Sequence, residues 1–496
     1  MSEPQPAKPL PKLPSRFDLF YGGAWHVPKS GRYLPTSNPG TGTVLAQVAE
    51  ADAADAQAAI AAAVAGFAVW RDILPLERAR ILRQAAAILR AEAAELALLD
   101  AVDCGNPVKE MAADVFTGAG LMDFFAGLVT EMKGATIPMG PDRVNFSVRE
   151  PLGVVARIVA FNHPLLFTVG KLAAPLAAGN AVIIKPPPQA PLAALRVAEL
   201  IGGLFPPGVV NILPGGIAAA EMLVAHPQVA MLALVGSIPT GRAVLRGASG
   251  RIKPVLLELG GKNAFIAFPD ADPDLVAQNI VAGMNFTWCG QSCGATSRAF
   301  VHEAIYDEVL ARLPTHCAHF KPGDPADPAT TMGAIISAAQ HARILQHIAH
   351  AHEDGAQLLL GGGVPEDPAL AKGFFVEPTI FFDVTPQMRL FHDETFGPVL
   401  AVSRWNDEAE MLAQVNGVEQ GLTCAIWTND LEKAHRTAAR VQAGFVWINE
   451  VGRHFLGAPF GGVKQSGIGR EECLSELLAF TQEKNIHVNL RRVARQ

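Results

Sequence analysis

Several large classes of protein are excluded by what this chain has little of. Its six cysteines (Cys104, Cys289, Cys293, Cys317, Cys424, Cys473) are spread irregularly over 496 residues, too sparse for a disulfide framework. A reducing cytoplasm is therefore the expected compartment. Charged residues make up 18% of the chain, with a formal net charge of −7 and no basic stripe, so no nucleic-acid partner is expected. No run of roughly 18 uniformly apolar residues marks a membrane span, and none is expected. The N-terminal MSEPQPAKPLPKLPSR is Pro-rich with no apolar h-region, so residues 1–14 read as a flexible arm rather than a secretory signal. There is no internal repeat and no GxGxxG fingerprint. No second Cys/His pair stands at ligand spacing beside Cys289 and Cys293, so no metal is expected.

What is present is apolar bulk and a change of pattern. Half of the residues are hydrophobic, ample for large cores, and the length suggests about three domains or subdomains. FDLFYGGAWHVP reads as a hairpin around Gly turns. From Asp52 to about Val102 the Ala-, Leu- and Arg-rich sequence has helical spacing, with Ile81, Leu82, Ala85, Ile88 and Leu89 on one face, so two or three helices fit. From Glu150 onward, short apolar runs alternate with Gly/Pro breaks and helices: VVARIVAF, AVIIKP, VVNILPGG and MLALVGS. A second series follows Leu257: AFIAF, SRAFVH, FFVEPTIFF, VLAVSRW, CAIWT and FVWIN. Fully apolar strands alternating with helices imply parallel sheets covered on both faces, with ligands beyond the strand C-termini. Lys133–Arg149 and the tail KNIHVNL look like edge strands that pair with a partner subunit; a surface hairpin and a frayed end are the plainer alternative.

Five places carry chemistry. In FTWCGQSCGATSR, Gly290 and Gly294 bracket Cys293 and leave backbone N–H groups near its sulfur, as a thiolate attacking a carbonyl requires. A lone cysteine is more often a small buried hydrophobe. Glu258 follows an apolar run and precedes Gly260-Gly261, which suits a partly buried base; an exposed strand-end Glu fits equally. Asn162 ends VVARIVAF and offers an amide donor to an oxyanion, or simply turns the chain before Pro164. Lys185 ends AVIIK and reaches for ribose or phosphate, or is merely solvated. Gly236-Ser237-Ile-Pro-Thr-Gly241 opens a helix whose N–H groups suit a pyrophosphate. Four histidines, His341, His347, His350 and His352, read as a solvated helix face, and the remaining cysteines as structural.

Together, in order, these segments resemble the aldehyde dehydrogenase superfamily from about Asn38-Pro39 to Lys484: FNHP, Lys185-Pro186, GSxxxG, LELGGK, GQSC, EPTI at Glu377, ETFGPV at Glu394, and PFGGVKQSGIGRE from Pro459. The resemblance implies NAD(P)-dependent oxidation of an aldehyde to its acid. In that reading Cys293 is the nucleophile, forming a thiohemiacetal and then a thioester. Asn162 and the Cys293 N–H form the oxyanion hole, Glu258 activates water, and Lys171 supports proton movement. Phe161, Lys185, Gly236, Ser237, Gly241, Leu259, Glu394 and Phe396 are implied as cofactor contacts. Phe167, Gly170, Trp288, Cys289, Arg453 and His454 are implied as the substrate pocket. The implied fold is α/β: a Rossmann-like doubly wound cofactor domain from 15–128 and 151–259, an α/β catalytic domain over 260–479, and oligomerisation strands at 129–150 and 480–496, in a homodimer or homotetramer.

Departures from the family pattern refine the expectations. The Ser-Glu that often follows Lys-Pro is here Pro187-Pro188, so the carboxylate that grips the NAD ribose is missing. NAD is expected first, with NADP left open. Gly170 stands where a bulky aromatic is frequent, which suggests a roomy pocket for an aromatic or extended aldehyde, with Arg453 meeting a polar end or lying in solvent. A CoA-acylating relative is disfavoured by Glu258, and a catalytically silent binding protein by Cys293, Glu258 and Asn162.

Overall fold

The computed structural model describes residues 11–491; most of the expected N-terminal arm and the last five residues of the expected oligomerisation tail lie outside the described residues. Two sheets organise the molecule. The first contains five parallel strands, Val154–Ile158, Ala181–Lys185, Val210–Ile212, Val229–Gly236 and Val255–Leu259. Numbered in that chain order they lie 3-2-1-4-5 across the sheet, so the order reverses between Val154–Ile158 and Val229–Gly236. That reversal opens a crevice at the strand C-termini. The hairpin Leu19–Tyr21/Ala24–His26 turns on Gly22 and Gly23, both at positive φ, and extends the sheet beside Val210–Ile212.

Three helices, Ala53–Trp70, Pro75–Ala91 and Ala93–Cys104, occupy the Ala-rich region, and a fourth follows at Val108–Gly127. The first is long and apolar enough to cross a membrane by length and composition, with a mean hydropathy of 1.4. Its buried Ala56, Ala59, Ile60 and Ala63 instead belong to the core on one face of the first sheet. The Ile81, Leu82, Ala85 and Leu89 face of Pro75–Ala91 packs into the core on the other side.

The second sheet carries all six of the later apolar runs, as Ala264–Ala267, Arg298–His302, Thr379–Phe382, Val399–Trp405, Thr423–Trp427 and Phe445–Ile448, in parallel. An additional edge strand, Gln357–Leu360, runs antiparallel. The end of the segment assigned to the catalytic domain departs from expectation. Gly467–Ile468 returns to pair with Leu257 and Glu258 in the first sheet, and Leu477 and Phe480 enter the first domain's core. The two edge-strand candidates pair with each other, Thr481–Asn489 against Arg143–Pro151 over nine positions, with Thr136–Ile137 completing a three-stranded sheet.

Candidate active site

A cavity of about 640 Å³ lies at the reversal point of the first sheet and reaches across to the second. Asn162, Glu258 and Cys293, 131 positions apart from first to last (293 − 162), line this one space. Phe161, Lys185, Gly236, Ser237, Glu394 and Phe396 line it too.

Asn162 sits in the short turn between Val154–Ile158 and the helix Pro164–Ala177, where Pro164 needs no hydrogen-bond partner for its nitrogen. The Asn162 carbonyl accepts from Asn106 Nδ2 at 2.7 Å, which anchors the backbone and leaves the amide side chain to the cavity. The Cys293 loop is held from below. Asn285 and Cys289 adopt left-handed backbone at φ 55°, and Gly290 does so at φ 62°, where a Cβ would collide with the Gly397 carbonyl. Asn263 Nδ2 donates to the Cys293 and Ala295 carbonyls at 2.7 and 2.9 Å, while Gln291 Oε1 accepts from Ile336 N at 3.1 Å. Gly294 has open room for a Cβ, so it is Gly290 whose lack of a side chain the loop requires.

The Cys293 thiol is pushed up to about 12, first by burial and then by the carboxylates of Glu258 and Glu394. Glu258 is 5% exposed, and among the described residues neither of its oxygens has a hydrogen-bond partner. Burial, then the Glu471 carboxylate, holds its own carboxyl well above the usual range. A Cβ on Gly461 would come within 2.6 Å of Glu258 Oε1, which accounts for one glycine of PFGG. Glycine at 260 has a like reason: a Cβ there would collide with the Glu394 carboxylate, which accepts from Gly261 N at 3.1 Å.

Lys171 does not bond to Glu258. Its Nζ donates to Glu471 Oε2 at 2.5 Å, Arg157 donates to Glu471 and Glu476 at 2.7 Å each, and all four side chains are buried. Arg157→Met would leave two carboxylates without their shared guanidinium. A loss of about 3–5 kcal/mol is expected, as for other broken buried pairs, read as a lowered urea midpoint at unchanged slope.

At the cofactor end, Lys185 is 6% exposed, and its Nζ donates to the Pro186 carbonyl, with no carboxylate beside it among the described residues. Burial draws its pKa down to about 8. Such a cation, open to the cavity and unpaired with any carboxylate, suits ribose hydroxyls or phosphate. Ser237 caps the helix Ile238–Ser249, and Pro239 contributes no N–H there. Gly241 and Leu259 are outside the lining; a Cβ on Gly241 would come within 2.5 Å of a Leu259 methyl, so the pair lets helix and strand approach. Phe161 and Phe396 meet edge-on at 5.7 Å. Residues not singled out from the sequence complete this wall. Gln340 Nε2 donates to the Phe396 carbonyl at 3.0 Å and Arg343 to the Glu394 carbonyl at 3.1 Å. His347 also lines the cavity, half-buried rather than solvated as expected, and burial depresses its pKa to about 4.

None of the residues expected to form the substrate pocket lines this cavity. Phe167 and Trp288 flank the His163 ring at 5.7 and 4.7 Å. Gly170 does not open a roomy pocket: Leu121 fills that space, 2.7 Å from where a Cβ would stand. Cys289 is in the core of the second domain. Arg453 lies in solvent with 70% of its side chain exposed, 3.4 Å from Glu450. His454 pairs with Glu472 at 3.2 Å and packs on Phe460.

Comparison with known proteins bears on the same features. Residues 25–486 match the model of the Aldehyde dehydrogenase family. The aldehyde dehydrogenase tropH of Talaromyces stipitatus is 50% identical over 486 residues, covering 96% of this chain and 94% of that protein. A putative aldehyde dehydrogenase from Burkholderia cenocepacia superposes with a TM-score of 0.93 at 39% identity, covering 95% of this chain and 97% of that one. Indole-3-acetaldehyde dehydrogenase AldA of P. syringae, solved with NAD+ and IAA, superposes equally well, at a TM-score of 0.93 and 35% identity, with 97% of each chain covered.

Proposed function

The chain belongs to the aldehyde dehydrogenase family, an NAD(P)-dependent oxidoreductase that oxidises aldehydes, and we propose that Cys293, Asn162 and Glu258 carry its chemistry. The observation supporting this reading is the convergence of thiol, amide and unbonded carboxyl on one cavity that also holds a lysine free of any carboxylate partner. The Cys293 sulfur attacks the aldehyde carbon, and its thiol proton passes to a base. The Asn162 amide and the Cys293 N–H hold the resulting oxyanion. Lys185, Ser237, Glu394 and Phe396 would hold an oxidised nicotinamide cofactor, which when bound would accept the hydride that leaves the thiohemiacetal carbon, so that the oxyanion collapses to a thioester on Cys293. Glu258 then takes a proton from water that cleaves the thioester, releasing the acid and restoring the thiol. Lys171 acts through Glu471, which sits beside Glu258 in charge if not in hydrogen bonding.

Reduction of NAD or NADP by a panel of aliphatic, aromatic and carboxylated aldehydes tests the reading: absorbance of the reduced cofactor should rise with at least one aldehyde. Absence of reduction across the panel, with cofactor still bound, would count against it. Both cofactors are expected to bind. The acidic residues lining the cavity are Glu258, Asp393 and Glu394, whereas Pro187, Pro188 and Gln189 line it beside Lys185. A 2′-phosphate therefore meets no carboxylate there. Introducing one, Pro188→Glu, should weaken NADP about tenfold or more relative to NAD in a direct binding titration, about 1.4 kcal/mol.

The protein is further assigned to a reducing cytoplasm, in keeping with six free cysteines. A homodimer or homotetramer is proposed, joined through the three-stranded sheet. Ile137, Val144 and Val488 are exposed apolar side chains on it, and Thr481–Asn489 keeps an open edge.

A further inference from the structure

His163 lies between Asn162 and the helix start at Pro164. Its Nδ1 lies 2.7 Å from Asp114 Oδ2, an acceptor on the helix Val108–Gly127. Asp114 therefore accepts a hydrogen bond from Nδ1–H, and in that tautomer Nε2 carries the lone pair that can act as an acceptor. Among the described residues nothing is bonded to that Nε2, and 11% of the side chain stays exposed. The ring packs edge-on against Trp288 at 4.7 Å, and the Trp288 Nε1 is a buried donor with no partner among the described residues. Trp288 stands five positions before the nucleophile, and Phe167 adds a third ring at 5.7 Å from His163. None of His163, Asp114, Trp288 or Phe167 lines the cofactor cavity, but His163 follows Asn162 directly and Trp288 stands on the loop that carries Cys293, so the chain ties the cluster to both reacting groups.

We propose that His163 and Trp288 form a hydroxyl-recognition site, making hydroxyl-bearing aromatic aldehydes the preferred substrates. One hydroxyl satisfies both groups, donating to His163 Nε2 and accepting from Trp288 Nε1–H, and the ring carrying it packs among three aromatic faces. Asp114 is a positioning residue: it fixes the tautomer that makes Nε2 an acceptor. The proposal names the substrate class for the Cys293 chemistry proposed above and rests on that reading.

The three hydroxybenzaldehydes, their methoxy twins and benzaldehyde are compared at saturating oxidised cofactor. Wild type should favour at least one hydroxy isomer over its methoxy twin by about tenfold in kcat/KM, mostly through KM. That ratio should fall to near unity in His163→Phe and in Trp288→Phe, and recover in part in His163→Gln, which again offers an acceptor. Should the variants fold poorly, competition in the wild type decides: hydroxybenzyl alcohol should inhibit about tenfold more tightly than methoxybenzyl alcohol. A ratio unchanged by His163→Phe or equal inhibition by the two alcohols would each overturn the hydroxyl site. Oxidation of the methoxy aldehydes without any preference would overturn it too, while leaving the thiol chemistry standing; no oxidation of any aldehyde would overturn both.

Discussion

Cys293→Ala should reduce aldehyde oxidation by about 10⁴-fold or more, the scale of deleting a nucleophile, while cofactor affinity and melting temperature stay near those of the wild type. Stability should survive because the Cys293 side chain is only partly buried and the loop is held by Asn263 and Gln291, through backbone carbonyl and amide groups that the substitution keeps. The state of the sulfur before substrate arrives gives a second, sharper readout. With its pKa pushed up to about 12, the thiol is almost wholly protonated at neutral pH, because two carboxylates and burial both oppose the anion. Alkylation by iodoacetamide should therefore be slow and should keep rising with pH beyond the range of an ordinary cysteine. A positive charge brought beside Glu394 and Phe396 reverses the local balance. Saturating oxidised cofactor should accelerate Cys293 alkylation at pH 7.5 at least tenfold, about 1.4 kcal/mol, whereas the reduced form, without the ring charge, should not. Equal rates in all three states would refute the electrostatic account of the thiol. The buried cysteines, Cys104, Cys289, Cys317, Cys424 and Cys473, serve as internal controls and should react more slowly throughout.

Much of this arrangement is legible in the chain because it is written locally. Strands that end at Lys185 and Gly236, or within a few residues of Asn162 and Glu258, announce themselves as apolar runs stopped by a polar or glycine residue, and a doubly wound sheet brings such ends to one crevice. Glycine motifs are legible for a related reason: Gly260 and Gly461 leave room for the carboxylates of Glu394 and Glu258, and no other residue fits. What is not legible depends on pairs far apart in sequence. Lys171 meets Glu471 across 300 positions, and Asn106 reaches the Asn162 carbonyl across 56. Neither pair has a spacing that a periodic pattern reveals, and Glu471 lies within REE, indistinguishable from a solvated charge run. Gly170 shows the same limit from the opposite side. A small residue in a helix predicts space, but Leu121 of a separate helix occupies it. Likewise Gly467–Ile468 lies within a glycine-rich motif that carries no hint of which sheet it joins, and pairing with Leu257 and Glu258 decides. His163 is not legible because its neighbour Asn162 already accounts for the motif, and only the 2.7 Å approach of Asp114 gives it a separate role.

Glu258→Gln separates the two halves of the reaction. Acylation and hydride transfer need the thiol, the oxyanion hole and the cofactor, whereas thioester hydrolysis needs a base. The variant should give a burst of reduced cofactor equal to the number of sites, then a steady rate about 10²–10⁴-fold below the wild type, the range for losing a general base. In the wild type the same group sets the acid limb of kcat. Its carboxyl is held above the ordinary range by burial and by Glu471, with Lys171 and Arg470 only partly opposing. The base form therefore exists only above that raised pKa, and kcat should fall as pH drops through it, at a pH higher than an exposed glutamate would give. In Glu258→Gln this limb should vanish from the residual rate. Stability should move the opposite way to activity. A carboxyl whose folded pKa is raised disfavours the folded state once pH exceeds its unfolded value, and the penalty is complete above the folded pKa. Since both Glu258 oxygens lack partners among the described residues, the neutral amide should melt at least as high as the wild type at pH 8 and lose that advantage towards pH 4. A variant that is both slower in the burst and less stable at pH 8 would mean that Glu258 is a structural carboxylate, and that the base for thioester hydrolysis must be sought elsewhere on the cavity wall.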